Sequence, residues 1–255
     1  MTSPAVKTAT FELALALADD ALILGHRLSE WSGQAPMLEE DIALSNLGLD
    51  LIGQARAFYT YAGELEGKGR DEDDLAYFRD AEAFRNCLLV EQPNGDFAAT
   101  MTRHLLFAGF MRLYYEQLAR SADPRLAEVA GKAVKEMTYH VRHSAEWIIR
   151  LGDGTAESRA RMLAALDDLW GYTGEMFEIS EGERVLVEAG IAPDRAALNQ
   201  QWDALILRVL TDATLTVPPA RYMHAGGRQG RHSEDLGHLL AEMQVLARAH
   251  PEAVW

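Results

Sequence analysis

The stretch Lys135-Glu136-Met137-Thr138-Tyr139-His140-Val141-Arg142-His143-Ser144 lies in the middle of a long helical pattern. Glu136, His140, His143 and Trp147 recur at helical spacing, so one face carries a carboxylate, two imidazoles and an indole. In a helix bundle such a face is where metal ligands project inward. A di-iron carboxylate bundle takes one Glu from each of two helices and a Glu-x-x-His from each of the other two. Here the residue three before His140 is Met137, whose thioether is a soft, weak ligand and a poor substitute for a carboxylate on iron.

A second helical pattern, Glu39 to Leu65, contains Asp50-Leu51-Ile52-Gly53-Gln54. Laid on Glu136-Met137-Thr138-Tyr139-His140, it again shows an acid, an apolar residue and, three positions later, a polar one. Both copies depart at the same place: Leu51 and Met137 stand where Glu is needed, and Gln54 stands where the other copy has His140. Each of these helices follows another long one, the helix-pair repeat of a ferritin-like bundle. The polar residues left over, Asp50, Gln54, Glu136 and His140, are expected to form a hydrogen-bonded cluster, because buried polar groups need partners. Arg56, Lys132 and Lys135 are at hand to neutralise its acids. An inert structural cluster and an altered metal site are both open readings at this point.

The rest of the chain reads as helices in series. The first spans Phe11 to Trp31 and stops at Gly33 and Pro36, with Asp19 and Asp20 read either as solvent-facing acids or as the trace of a ligand helix. The apolar residues of Glu39–Leu65 wrap too widely for a simple surface helix, so burial by its own chain or by a partner is expected. Gly67, Gly69 and the acids Asp71 to Asp74 read as a loop, and Asp74–Asp80 and Glu82–Val90 as short helical pieces. Asp96 caps Phe97 to Arg120, which holds His104, read as a hydrogen-bonded packing histidine. Asp123-Pro124 opens Arg125 to Leu151, with Gly152 as C-terminal cap. Thr155 opens a helix to about Phe177, a short piece runs from Glu183 to Ala189, and Asp194 caps Arg195 to about Leu215. The glycine-rich loop from Pro218 to His232 carries Arg221, Arg228 and Arg231, which suggest an anionic docking partner. Ser233 caps the last helix, Glu234 to His250. With no alternating strand pattern, the fold class is all-α: one ferritin-like domain over residues 1–255, with a core bundle at about 8–177 and a C-terminal helical extension at about 178–255.

Composition narrows the function. The net charge of −15 argues against nucleic acid or an anionic membrane as the main partner. The one cysteine, Cys87, permits no internal disulfide and suits a reducing cytosol, so a cytoplasmic location is expected. The N-terminal apolar stretch, broken by Glu12, Asp19 and Asp20, does not read as a secretory signal. Phosphate-loop, nucleophile-elbow, His-Glu-x-x-His and Cys-x-x-Cys motifs do not occur in the sequence.

Several stretches carry a family resemblance. They are Leu47-Gly48-Leu49-Asp50-Leu51-Ile52-Gly53-Gln54-Ala55-Arg56, Leu88-Leu89-Val90-Glu91-Gln92-Pro93-Asn94-Gly95-Asp96-Phe97, Lys132-Ala133-Val134-Lys135-Glu136 with Tyr139-His140, Leu151-Gly152-Asp153-Gly154-Thr155, and Leu239-Leu240-Ala241-Glu242-Met243-Gln244. Over nearly its whole length the chain resembles the family of C subunits of bacterial phenylacetyl-CoA epoxidase (ring 1,2-epoxidase) complexes. The resemblance implies a ferritin-like subunit without metal, paired with a homologous catalytic A subunit that holds the di-iron centre, with further subunits and a reductase. It also implies proximity to the CoA arm of the substrate, with Phe84-Arg85-Asn86 and Arg184-Val185-Leu186 as the contact stretches. Two other readings stand beside it: an active di-iron oxygenase using Asp20, Glu136, His140 and His143, and a homomeric structural bundle.

Overall fold

A computed structural model describes residues 3–219 and 221–253; the part of the predicted loop at Ala220 lies outside the described residues. The chain is all-α and ferritin-like, and the described residues contain no strand. It divides into two compact units, residues 1–93 with 226–255, and residues 94–225.

The first unit is built on α1 (Pro4–Ser29) and α2 (Leu38–Glu66). Ser3 caps α1 by accepting a hydrogen bond from the Val6 amide, and Pro4 fills the first helical position. The helix therefore starts a turn and more before the expected Phe11. The pair is antiparallel: Gly25 meets Gly48, while further back along α1 Asp19 meets Tyr59 further on along α2. A Cβ on Gly48 would stand 3.2 Å from the Gly25 carbonyl oxygen, so the helices approach backbone to backbone there. Leu44, Leu47, Leu51 and Phe58 bury one side of α2.

The acids expected in a loop instead open α3 (Glu72–Tyr77). Asp71 accepts from the Asp74 amide and Asp74 from the Asp71 amide, and the helix N-terminus favours the remaining negative charge. The expected helix Glu82–Val90 is reduced to a 3₁₀ turn at Ala81–Ala83 and α4 (Leu88–Glu91), because Phe84 and Cys87 are extended. The unit is completed by α10 (Glu234–Ala249).

The second unit is built on α5 (Phe97–Leu118) and α6 (Pro124–Gly152), capped by Asp96 and Asp123 as expected. Phe97 meets Trp147 and His104 meets His140, so this pair is antiparallel too. Gly152 is the last helical residue rather than a cap. A Cβ there would collide with the Ala213 carbonyl, so the glycine serves close packing. The helix expected from Thr155 to Phe177 breaks into α7 (Ala156–Trp170) and a 3₁₀ turn at Gly174–Phe177. Then follow α8 (Glu181–Glu188) and α9 (Asn199–Asp212), which starts later than expected because a 3₁₀ turn at Ala196–Leu198 comes first, where the Ala196 amide donates to Asp194. Among the described residues no helix is long and apolar enough to cross a membrane.

Candidate functional site

In the first unit the altered ligand positions lie on α2. Leu51 is 1% exposed and Gln54 is 4% exposed, so the residues that the sequence pattern sets against Glu and His are a buried alkyl group and a buried amide. Asp50 is half-buried, and Arg56 turns away to pair with Glu72 at 2.9 Å. In the second unit the equivalents lie on α6: Met137 and His140 are both fully buried. Glu136 lies 3.7 Å from Lys132. The His140 ring lies 5.0 Å from that of His104 at a tilt of 37°, and His104 is buried with neither ring nitrogen hydrogen-bonded among the described residues. The hydrogen-bonded role expected of His104 is therefore corrected. Burial, then the neighbouring His140, His143 and Arg103, holds His104 well below the usual imidazole range, and the ring is neutral.

These groups do not fit a di-iron centre. A di-iron centre takes carboxylate oxygens, and neither Leu51 nor Met137, which the sequence pattern sets at its Glu positions, offers one. Among the described residues no three His, Cys, Asp or Glu side chains are grouped so as to share a metal ion.

The buried acids of the first unit are Asp19, Asp20 and Glu91, each fully buried. The solvent-facing reading of Asp19 and Asp20 is thereby corrected. Each acid has its own cation. Asp19 is paired with Arg79 and accepts from the Tyr59 hydroxyl at 2.5 Å and the Arg85 amide at 2.7 Å. Burial first, and then the Asp19 charge, raises the Tyr59 phenol well above its ordinary range, so Tyr59 stays a donor. Asp20 accepts from the Cys87 amide at 2.7 Å and from Arg228 at 2.6 Å. Residues 85 and 87 are alternate positions of one extended stretch, and their amides serve two successive acids of α1. Glu91 meets His232 Nδ1 at 2.7 Å and the Ser233 amide at 2.7 Å, while His232 Nε2 faces the Phe84 carbonyl at 3.1 Å. Both ring nitrogens face oxygen acceptors, an arrangement that favours the doubly protonated ring. Burial lowers the His232 pKa, but the hydrogen bond and charge of Glu91 outweigh it and the net shift is upward.

The glycine-rich loop is held by the same acids. Gly227 lies against the Asn86 carbonyl and Gly230, at φ +76°, against the Glu82 carbonyl, and a Cβ at either would overlap those oxygens. Residues 226–232 therefore form a strap over residues 82–88 of their own unit, and the anion that Arg228 meets is Asp20. In the second unit Arg221 pairs with Asp167. Arg231 stays exposed. Ser233 does not cap α10 through its side chain; its amide is spent on Glu91.

Of the six residues expected near CoA, Phe84, Asn86 and Leu186 are fully buried within this chain. Phe84 lies under the Arg79 guanidinium at 4.1 Å, and Asn86 donates to Glu91 at 2.8 Å. Arg85 is half-buried and donates to the Glu82 and Phe84 carbonyls at 2.7 Å, whereas Arg184 and Val185 are exposed. The sequence reading missed Arg79, Glu91 and His232. Its available signal was the pair Asp19-Asp20 inside the apolar run Leu13–Leu24, since acids so placed need cations.

Two antiparallel pairs of long helices in an all-α chain define a ferritin-like protein. The sequence model of the phenylacetic acid catabolic protein family matches residues 1–255, and the chain belongs to that family. It is 47% identical over 241 residues to the C subunit of 1,2-phenylacetyl-CoA epoxidase from Escherichia coli (strain K12), covering 94% of this chain and 97% of that protein.

Proposed function

We propose that this chain is the metal-free structural subunit of a cytoplasmic phenylacetyl-CoA 1,2-epoxidase, in which a homologous subunit holds the di-iron centre and a reductase supplies electrons. The observation that carries this reading is the burial of Leu51 and Met137 at the two positions where iron would require carboxylates. The relative's name supports the assignment to an epoxidase of several subunits. The rival reading, iron held by Asp20, Glu136, His140 and His143, is disfavoured because Asp20 is occupied by Arg228 and the Cys87 amide and Glu136 faces Lys132.

A scaffold needs a surface to bind with. On α2, Leu38, Ile42 and Leu49 are 72%, 54% and 64% exposed and share one helical face with Gly53. A Cβ on Gly53 would meet nothing within 4 Å, so a helix of the catalytic subunit has room to lie close along this stripe. The CoA ester is anionic, and Arg85, half-buried in the first of the expected stretches, supplies the charge to bind it. Reconstitution tests the reading. The catalytic subunit is expected to lose solubility or turnover without this chain, and Arg85→Ala to raise KM for the CoA ester with kcat little changed. A catalytic subunit that is equally soluble, stable and active on its own removes the scaffold role.

A further inference from the structure

Within the first unit a groove of about 430 Å³ runs between α3 and α10. Its walls are fixed by hydrogen bonds to carbonyls at the end of α3 and just beyond it. Gln244 donates to the Ala76 and Arg79 carbonyls at 3.0 Å each, and Arg248 donates to those of Tyr77 at 3.1 Å and Arg79 at 2.8 Å. With α10 pinned this way, Phe78 on one wall and Leu246 on the other remain 44% and 54% exposed. A second hollow of about 310 Å³ shares Asp73 and Tyr77 with the first and is floored by Leu22, Ile52, Ala55 and Ala76. The two hollows form a track with apolar surfaces and Asp73 at the ridge between them.

The rim of this track is negative. Asp71, Glu72, Asp73 and Asp74 line it, and of these Glu72 is paired with Arg56. Arg70, next to the run, is spent on Glu66 at 2.6 Å. Asp73 has no ion-pair partner among the described residues, and burial, then Asp71 and Glu72, raises its carboxyl pKa. His250 is the basic side chain lining the larger hollow. A nucleic acid or anionic lipid would be repelled here, and a bare cation would leave Phe78, Leu246 and the floor in water.

We propose that this track is a docking site for a segment of another epoxidase subunit that presents a lysine or arginine beside apolar side chains. The cation would sit at Asp73, and its apolar neighbours would fill the hollows on either side, the arrangement of a polar rim around an apolar anchor pocket. The proposal rests on the reading of this chain as an epoxidase subunit.

The test uses the full chain and the other epoxidase subunits, purified and titrated one at a time at low and moderate salt. Wild type is compared with Asp73→Lys, Asp73→Asn and Leu246→Glu, each matched to wild type in thermal midpoint. For one of the subunits, Asp73→Lys is expected to weaken binding several-fold more than Asp73→Asn, with the difference shrinking as salt rises. Leu246→Glu is expected to weaken binding of that same partner at both salts. If wild type assembles and the variants bind every subunit as tightly, the groove proposal is overturned while the subunit reading stands. The groove proposal is also overturned if the variants alter only self-association. If wild type binds none of the subunits, the subunit reading and this proposal fall together.

Discussion

Asp20 and Arg228, 208 positions apart in sequence, are joined at 2.6 Å by a hydrogen-bonded ion pair whose carboxylate is fully buried. The pair ties the glycine strap at 226–232 to the middle of α1. Removing one partner from such a pair strands the other, and measured costs are about 3–5 kcal/mol. Arg228→Gln is therefore expected to destabilise the isolated chain by ~3 kcal/mol in denaturant unfolding. The double variant Asp20→Asn/Arg228→Gln is expected to lose less than the two single losses summed. Additive losses would contradict a direct pair.

The strap makes a backbone prediction as well. Gly230→Ala has to adopt φ +76° and overlap the Glu82 carbonyl, so it is expected to lower stability by more than about 1 kcal/mol. Gly53→Ala is the opposite case. It lies mid-helix in open space and is expected to stabilise the isolated chain by roughly 0.5–1 kcal/mol. If α2 is where the catalytic subunit packs, the same change weakens assembly. Equal affinity of the Gly53→Ala and wild-type chains would place the interface elsewhere.

Two histidines give stability opposite pH slopes. The His104 pKa is lowered in the folded chain, so its contribution is complete above the ordinary imidazole value and falls as pH drops below it. His232 is raised by Glu91, so its contribution is complete below the ordinary value and is lost as pH rises through the folded one. Thermal midpoints measured across this range should show both limbs. His104→Leu should flatten the acid limb and stay within ~1 kcal/mol of wild type at neutral pH, because it removes buried nitrogens that lack partners. An unchanged acid limb would assign that slope to other groups.

The long helices and the caps Asp96 and Asp123 were legible in the sequence because helical period and capping chemistry are local. What could not be read was long-range. The apolar run around Asp19 and Asp20 calls for cations, but nothing local names Arg79 and Arg228 as those cations. Gly227 and Gly230 look like a loose loop until the carbonyls of Asn86 and Glu82 are found beneath them. The stretch 84–86 was singled out by the family resemblance, which carries no information on burial. Phe84 and Asn86 point inward, where the backbone of the same stretch serves the buried acids.

The central claim is that iron belongs to the partner and not to this chain. Its most direct measurement is metal content, by elemental analysis, of this chain purified alone and of the complex co-expressed with the catalytic subunit, with ferrous iron supplied in both cases. The account predicts negligible iron in the chain alone and, in the complex, iron that is unaffected by Glu136→Ala in this chain. Stoichiometric iron in the chain alone, removed by Glu136→Ala or His140→Ala, would contradict it.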